Sequence, residues 1–252
     1  MEISYIDIET APNVCFTWGL FNQNVGLDQI VEPGHTLCWA AKLPSSKKVE
    51  FMSKWEHGEE AMIGRMHQIL DETDAVVHYN GRKFDIPILN KDFIKQGLAP
   101  PDGYQQIDLL QTARKRFRFV SNKLDFVSTF LGLEAKHQHK GMLLWKGCMA
   151  GEKSAWKTMK SYNIQDAKML PALYKKMLAW INDHPNHGLY VDHENPVCTN
   201  CGSSNLVSKG MEHLTTQSYR RLRCNDCGTP LRERYTALPL SKRKTIITQS
   251  KL

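Results

Sequence analysis

Apolar and polar positions alternate at the start of the chain and predict a strand over Glu2–Ile8 that runs into the acids Asp7 and Glu9. Two more apolar, β-rich stretches follow at Val14–Leu20 and Thr36–Leu43, and a fourth at Val49–Met52 after the turn Pro44-Ser45-Ser46. The period then becomes helical over Glu59–Asp71, with Ala61, Met62, Met66, Ile69 and Leu70 inward. Ala75–His78 reads as a short buried strand, and Ile86–Gln96 as a helix with Pro87 in its first turn and Gly97 as its stop. Gln106–Leu109 is a brief strand and Leu110–Phe117 a helix. Lys123–Leu131 is another helix, with Leu124, Val127, Phe130 and Leu131 on one side. Residues 134–151 read as loop, and Ser154–Met177 as one long helix or two joined near Ser161. Early strands followed by alternating helices and strands imply an α/β fold, a mixed sheet with helices outside. The expected division is a body over 1–183, a linker rich in Asp, Pro, Asn, His and Gly over 184–195, a small module over 196–240 and a basic tail over 241–252.

A chain of 252 residues can bury the core of one domain of about 190 residues with a small appendage. The net charge of +7 is unevenly placed: residues 1–200 hold 23 basic and 23 acidic side chains, residues 201–252 ten and three. A basic end on a neutral body points to a polyanionic partner, with a solubilising tail or a membrane-surface patch as the plainer readings. No apolar run approaches the length needed to span a membrane, and the N-terminus lacks the features of a secretory signal.

Four of the seven cysteines form two pairs, Cys198-x2-Cys201 and Cys224-x2-Cys227, each followed by a glycine, Gly202 or Gly228, that lets the backbone turn under the sulfurs. Four thiolates at this spacing suit one structural Zn²⁺ in a zinc-ribbon-like module, and they fit a reducing, intracellular setting better than a disulfide framework. A redox role for the pairs would need a βαβ unit around them, and none is legible. Between the pairs, Arg220, Arg221 and Arg223, with Arg232 and Arg234 beyond, could contact phosphates. Tyr219 and Tyr235 could stack on bases or simply fill the little sheet.

Acids recur in three phrases: Asp7-Ile8-Glu9, Tyr79-Asn80-Gly81-Arg82-Lys83-Phe84-Asp85 and Tyr162-Asn163-Ile164-Gln165-Asp166. Asp7 and Glu9 lie two apart on a strand and share a face, opposite Ile6 and Ile8. Tyr162 and Asp166 lie four apart and share a helix face. Asp85 sits at a loop-to-helix junction, where it could cap the helix as well as bind metal. Four carboxylates brought together would repel one another unless cations join them, and hard oxygens suit Mg²⁺ or Mn²⁺. Two such ions about 4 Å apart can stabilise both oxygens of a phosphodiester under attack. Asp108 and Asp125 read as capping or surface acids.

Asp7-Ile8-Glu9-Thr10, the stretch His78–Pro87 and Tyr162-x3-Asp166, in this order, resemble the DEDD exonuclease superfamily, which has a ribonuclease H-like fold. The second phrase and Ser121-Asn122-Lys123-Leu124-Asp125 are most similar to the exonuclease domain of family B DNA polymerases, and the likeness covers about residues 1–180. Tyr162, with Ser161 where the histidine branch needs an imidazole, resembles the tyrosine (DEDDy) branch. The resemblance implies that Asp7, Glu9 and Asp166 hold one ion, that Asp7 bridges to a second supported by Asp85, and that Tyr162 orients the attacking water. It also implies that Thr10, Asn80 and Phe84 line the path of the terminal nucleotides; Lys123 is a separate candidate for approach to a substrate phosphate. His137 and His139 would belong to a substrate-facing loop, or less readily to another metal site. The implied activity is 3′–5′ hydrolysis at the 3′ ends of single-stranded DNA to nucleoside 5′-monophosphates. The alternatives are an RNA exonuclease and a non-catalytic nucleic-acid-binding or polymerase-recruiting protein. The chain departs from those polymerases in having no polymerase domain. A stand-alone nuclease, or a subunit that meets a polymerase or another replication protein in trans, fits this departure; the expected setting is the cytoplasm, with a phage-infected bacterium as one such host.

Overall fold

The computed structural model describes residues 1–133 and 141–250, so His137 and His139 lie outside the described residues. The chain divides into two compact units, Glu2–Tyr174 and Lys175–Leu252, the second also including Met1.

The first unit is built on a mixed sheet of five strands: β1 (Ile3–Thr10), β4 (Thr36–Lys42), β5 (Val49–Ser53), β6 (Ala75–His78) and β7 (Gln105–Asp108). Their order is β5-β4-β1-β6-β7. The hairpin strands β4 and β5 run antiparallel, and β1, β6 and β7 run parallel. In this register His78 and Asp108 are level with Ile6, and β1 runs on past the ends of β6 and β7, so Asp7 and Glu9 lie on its overhanging end. A short ribbon, β2 (Val14–Cys15) with β3 (Ile30–Glu32), extends from the β1–β4 connection.

Alternation along β1 sends Ile6 and Ile8 to one face, where α2 (Glu59–Asp71) and α3 (Asp85–Lys95) cover them. Trp39, Met62, Met66, Leu89 and Phe93 complete this layer, and the Trp39 indole donates to the Met62 carbonyl at 2.8 Å. Tyr5, Asp7 and Glu9 point the other way. On that face Leu37 and Cys38 pack with Leu144 and Cys148 of α6 (Met142–Met149) and with Trp156, Met159 and Tyr162 of α7 (Lys153–Met177). Two short helices, α4 (Leu109–Arg116) and α5 (Leu124–Phe130), follow β7, and one turn, α1 (Lys54–His57), precedes α2.

The second unit holds a three-stranded meander, β8 (Leu206–His213), β9 (Ser218–Cys224) and β10 (Pro230–Arg232), and one late turn, α8 (Leu240–Arg243). Its first residues belong to the end of α7, and Asn200, between Cys198 and Cys201, donates to the carbonyls of Leu178 and Ile181 just after that helix at 2.8 and 3.1 Å.

The mixed sheet with outer helices agrees with the sequence expectation, and the differences are local. The strand expected over Val14–Leu20 shrinks to two residues, and Phe16, Trp18 and Leu20 stand exposed because no sheet face is there to cover them. The loop expected over 134–151 contains α6. Gly147 reads as a breaker but serves close approach, since a Cβ there would lie 2.7 Å from that of Ala155. On α2, Ile63 is buried where Ala61 was expected to be. The helix over 153–177 is continuous through Ser161.

Candidate metal-dependent active site

The face of β1 opposite Ile6 and Ile8 carries Asp7 and Glu9 against α7, and Asp166 of that helix meets them: one carboxylate oxygen from each lies within 4.8 Å of the others. A register shift between Glu9 and Thr10 against β4 ends the regular ladder at this point. Such a bulge re-aims the side chains beside it. One turn before Asp166, the Tyr162 hydroxyl bonds the Asp166 carboxylate. The phenol is held well above its usual value, first by burial and then by the charges of Asp166, Glu9 and Asp7. It therefore keeps its proton at neutral pH and acts on its surroundings as a hydrogen-bonding group, not as a base.

Asn163, absent from the sequence-derived site, completes the clamp. It is fully buried, and its amide donates to both the side chain and the backbone carbonyl of Asp7, at 2.7 and 3.2 Å. Only its place between Tyr162 and Asp166, as an amide on the buried side of α7, could have signalled it.

Asp85 stands apart from the trio. The pairing of β1 with β6 covers Ile3 to Tyr5, and past it the Ile8 N–H donates to Asp85 Oδ1 at 3.1 Å. The carboxylate thus takes the place of a ladder partner between Asp7 and Glu9. Burial pushes its pKa up to about 7; the Ile8 bond opposes the rise and Asp108 adds to it. A carboxyl that holds its proton more tightly folded than unfolded makes stability fall as pH rises from about 4 to about 7, here by up to about 4 kcal/mol. Asp85→Asn should therefore stabilise the metal-free chain in urea at about pH 8 and lose that advantage by about pH 4. An advantage equal at both pH values would count against this reading.

The loop that delivers Asp85 is over-determined. Asn80 is left-handed at φ 75°, and its N–H is held by Asp108 Oδ1 at 3.0 Å. The same oxygen caps α4 through the N–H groups of Leu110 and Gln111. Gly81 donates to His78 Nδ1 at 3.0 Å, and a Cβ at position 81 would lie 2.4 Å from that ring. Phe84 is partly exposed at the start of α3, and Thr10 lines a cleft with Asn13, His35 and Lys91. Lys123 is exposed beyond Asn122, whose carbonyl accepts the Tyr79 hydroxyl at 2.8 Å.

In the second unit the four cysteine sulfurs also lie within 4.8 Å of one another, with Cys198–Cys227 and Cys201–Cys224 at 3.6 Å. That is far beyond a disulfide and close to the edge of a tetrahedron with metal–sulfur bonds of about 2.3 Å. Both pairs make the same knuckle: Gly202 donates to the Cys198 carbonyl and Gly228 to that of Cys224, at φ 73° and 81°. The donor sets therefore suit two different metals, hard oxygens in one unit and thiolates in the other.

The arginines of β9 divide between its faces. Arg220 points one way and approaches Glu233 at 3.8 Å. Arg221 and Arg223 point the other, where Arg221 forks onto the Lys209 carbonyl at a bulge in β8. Arg232, opposite Arg221 on β10, lies over the Tyr219 ring at 4.5 Å and beside Glu212 at 3.8 Å.

No helix among the described residues is long and apolar enough to cross a membrane. No curated protein sequence matches the chain. Among solved structures, the family B DNA polymerase of the hyperthermophilic archaeon Pyrobaculum calidifontis is similar in fold, with a TM-score of 0.53 and 16% identity. The likeness covers 71% of this chain and 24% of the polymerase. The family profile of the RNase H superfamily matches residues 4–178, a span that takes in all of the mixed sheet but Ile3 together with Asp7, Glu9, Asp85, Asp108 and Asp166, and the chain belongs to that superfamily.

Proposed function

We propose that the chain is a metal-dependent 3′–5′ exonuclease of the tyrosine-bearing DEDD branch, acting on single-stranded DNA. The observation that carries this reading is the trio Asp7, Glu9 and Asp166 with the Tyr162 hydroxyl bonded to Asp166. Bound divalent ions, Mg²⁺ or Mn²⁺, would supply an activated water and neutralise the charge on the phosphodiester. The chain's own part is positional. Asn163 fixes the Asp7 carboxylate, and Asp85 pins the β1 backbone between Asp7 and Glu9. Tyr162, protonated, offers its hydroxyl as a hydrogen-bond partner for the incoming water. Thr10, Asn80, Phe84 and Lys123 border the path of the 3′-terminal nucleotides.

In this reading residues 1–183 form the nuclease, 184–195 a linker, 196–240 a zinc ribbon and 241–252 a basic tail. Cys198, Cys201, Cys224 and Cys227 hold one structural Zn²⁺. Arg221, Arg223 and Arg232 contact substrate phosphates from one ribbon face, while Arg220 lies on the other with Glu233. The likeness to part of a polymerase favours one second reading, a chain that serves a polymerase in trans.

A time course on 5′-labelled single-stranded and duplex DNA and RNA, with and without Mn²⁺, tests the proposal. The expected result is a ladder of progressively shorter labelled products from single-stranded DNA, dependent on the metal. Immediate release of a labelled mononucleotide would reverse the polarity. Digestion of RNA alone would move the substrate, and no digestion of any strand would leave the binding or recruiting role.

A further inference from the structure

Between Asp108 and Asp125 the chain has no acid and five cations: Arg114, Lys115, Arg116, Arg118 and Lys123. The overall neutrality of the first 200 residues hides this run. All five side chains are exposed, and none pairs with an acid among the described residues. Phe117 and Phe119 alternate with Arg116 and Arg118 and start a ladder of rings. Phe117 and Phe119 are 5.2 Å apart, Phe119 and Phe130 5.4 Å, Phe130 and Phe126 6.2 Å. Phe130, grouped in the sequence with the buried Val127 on one side of the helix, is 67% exposed.

Topology ties this run to the acids. Asp108 ends β7 beside His78 and accepts from the Asn80 N–H, and α4 leads away from it for eight residues, about 12 Å. The chain then comes back, and the Asn122 carbonyl accepts the hydroxyl of Tyr79, the neighbour of Asn80. The cations thus begin beside the loop that carries Asn80 and Asp85 and extend outward from it.

We propose that residues 114–130 form a track for one nucleic-acid strand, upstream of the 3′ end held at the carboxylates. The phosphates run past the exposed cations between Arg114 and Lys123, and an unpaired base stacks on Phe130. This rests on the exonuclease reading and adds what an acidic centre needs to attract a polyanion, a cationic approach beside the Asn80 loop that pairs with no acid among the described residues. Exposed ring faces select a single strand, because a duplex keeps its bases stacked on each other. An anionic membrane would also meet the charges and the exposed Val120 and Phe130, and capture by vesicles separates the two.

The test is binding of an oligonucleotide of about 12 nucleotides, with Ca²⁺ in place of Mg²⁺ so that hydrolysis plays no part. The triple variant Arg114→Gln, Arg116→Gln, Arg118→Gln should bind at least about tenfold more weakly, with the logarithmic salt slope reduced by about 2. Phe130→Ala should bind roughly tenfold more weakly with the slope unchanged, because stacking releases no counterions. A control that removes the same charge from α7, Lys157→Gln, Lys168→Gln, Lys176→Gln, should stay near the wild type. Equal losses in track and control variants, or none in the track variants, would overturn the proposal. So would capture by phosphatidylserine vesicles that depends on the same arginines while oligonucleotide binding does not. Loss of binding in the track variants of a chain that digests no strand would sink the exonuclease reading and leave the track standing.

Discussion

Asp7→Ala is expected to lower Mn²⁺-dependent digestion of a single-stranded oligonucleotide by about a thousandfold, a loss of roughly 4 kcal/mol of transition-state stabilisation. Asp7 stands within reach of both Glu9 and Asp166 and is the one acid that Asn163 clamps through both side chain and backbone. Its removal leaves two carboxylates that no longer enclose a site. The metal-free fold should not suffer: three clustered carboxylates repel one another, so deleting one should leave the thermal midpoint unchanged or raised. Asn163→Ala should give a smaller loss, because Asp7 keeps its charge and loses only its orientation. Rates on a 3′-labelled strand, with a thermal melt of each variant in chelator, check both expectations. Digestion by Asp7→Ala within about tenfold of the wild type would remove the acids from the chemistry.

Withdrawing metal from the cysteine knuckles should unfold the meander. Within residues 196–240 the buried side chains are Cys198, Asn200, Ser218, Cys224 and Thr229, so the only apolar groups among them are two of the four sulfurs. No hydrophobic core stands ready to replace the metal, and the binding energy of a structural Zn²⁺, on the order of 10 kcal/mol, becomes the folding energy of such a module. Cys224→Ser or a strong chelator should remove hydrogen-exchange protection from the amides of β8 to β10 while those of β1, β4 and β6 stay protected. Elemental analysis should find one zinc per chain. Protection of β9 that survives chelation would show that the strands hold without metal.

The candidate site was legible where chemistry and period coincide. Two acids two residues apart on an alternating strand must share a face, and a tyrosine four residues before an aspartate must share a helix face with it. The carboxylates of Asp7, Glu9 and Asp166 do meet. Asn163 escaped notice because a neutral amide has no signature until its partner is known. The basic run at 114–123 was lost in a sum, since acids elsewhere cancel its charge. Helix α6 was masked by glycines that read as breakers, although Gly147 is there for contact with Ala155.

Local rules thus settled most of the strands and helices and which residues can bind a hard or a soft metal, because these depend on neighbours a few positions away; they failed at β2, at α6 and on the face of Ala61. Tertiary structure alone decided that β1 and α7 bring their acids together, that Asp85 spends an oxygen on the Ile8 backbone, and that Arg220 parts from Arg221 and Arg223 across a strand. Those outcomes depend on groups far apart in the chain, such as Asp7 and Asn163, whose approach is set by the packing of whole elements and not by any local period.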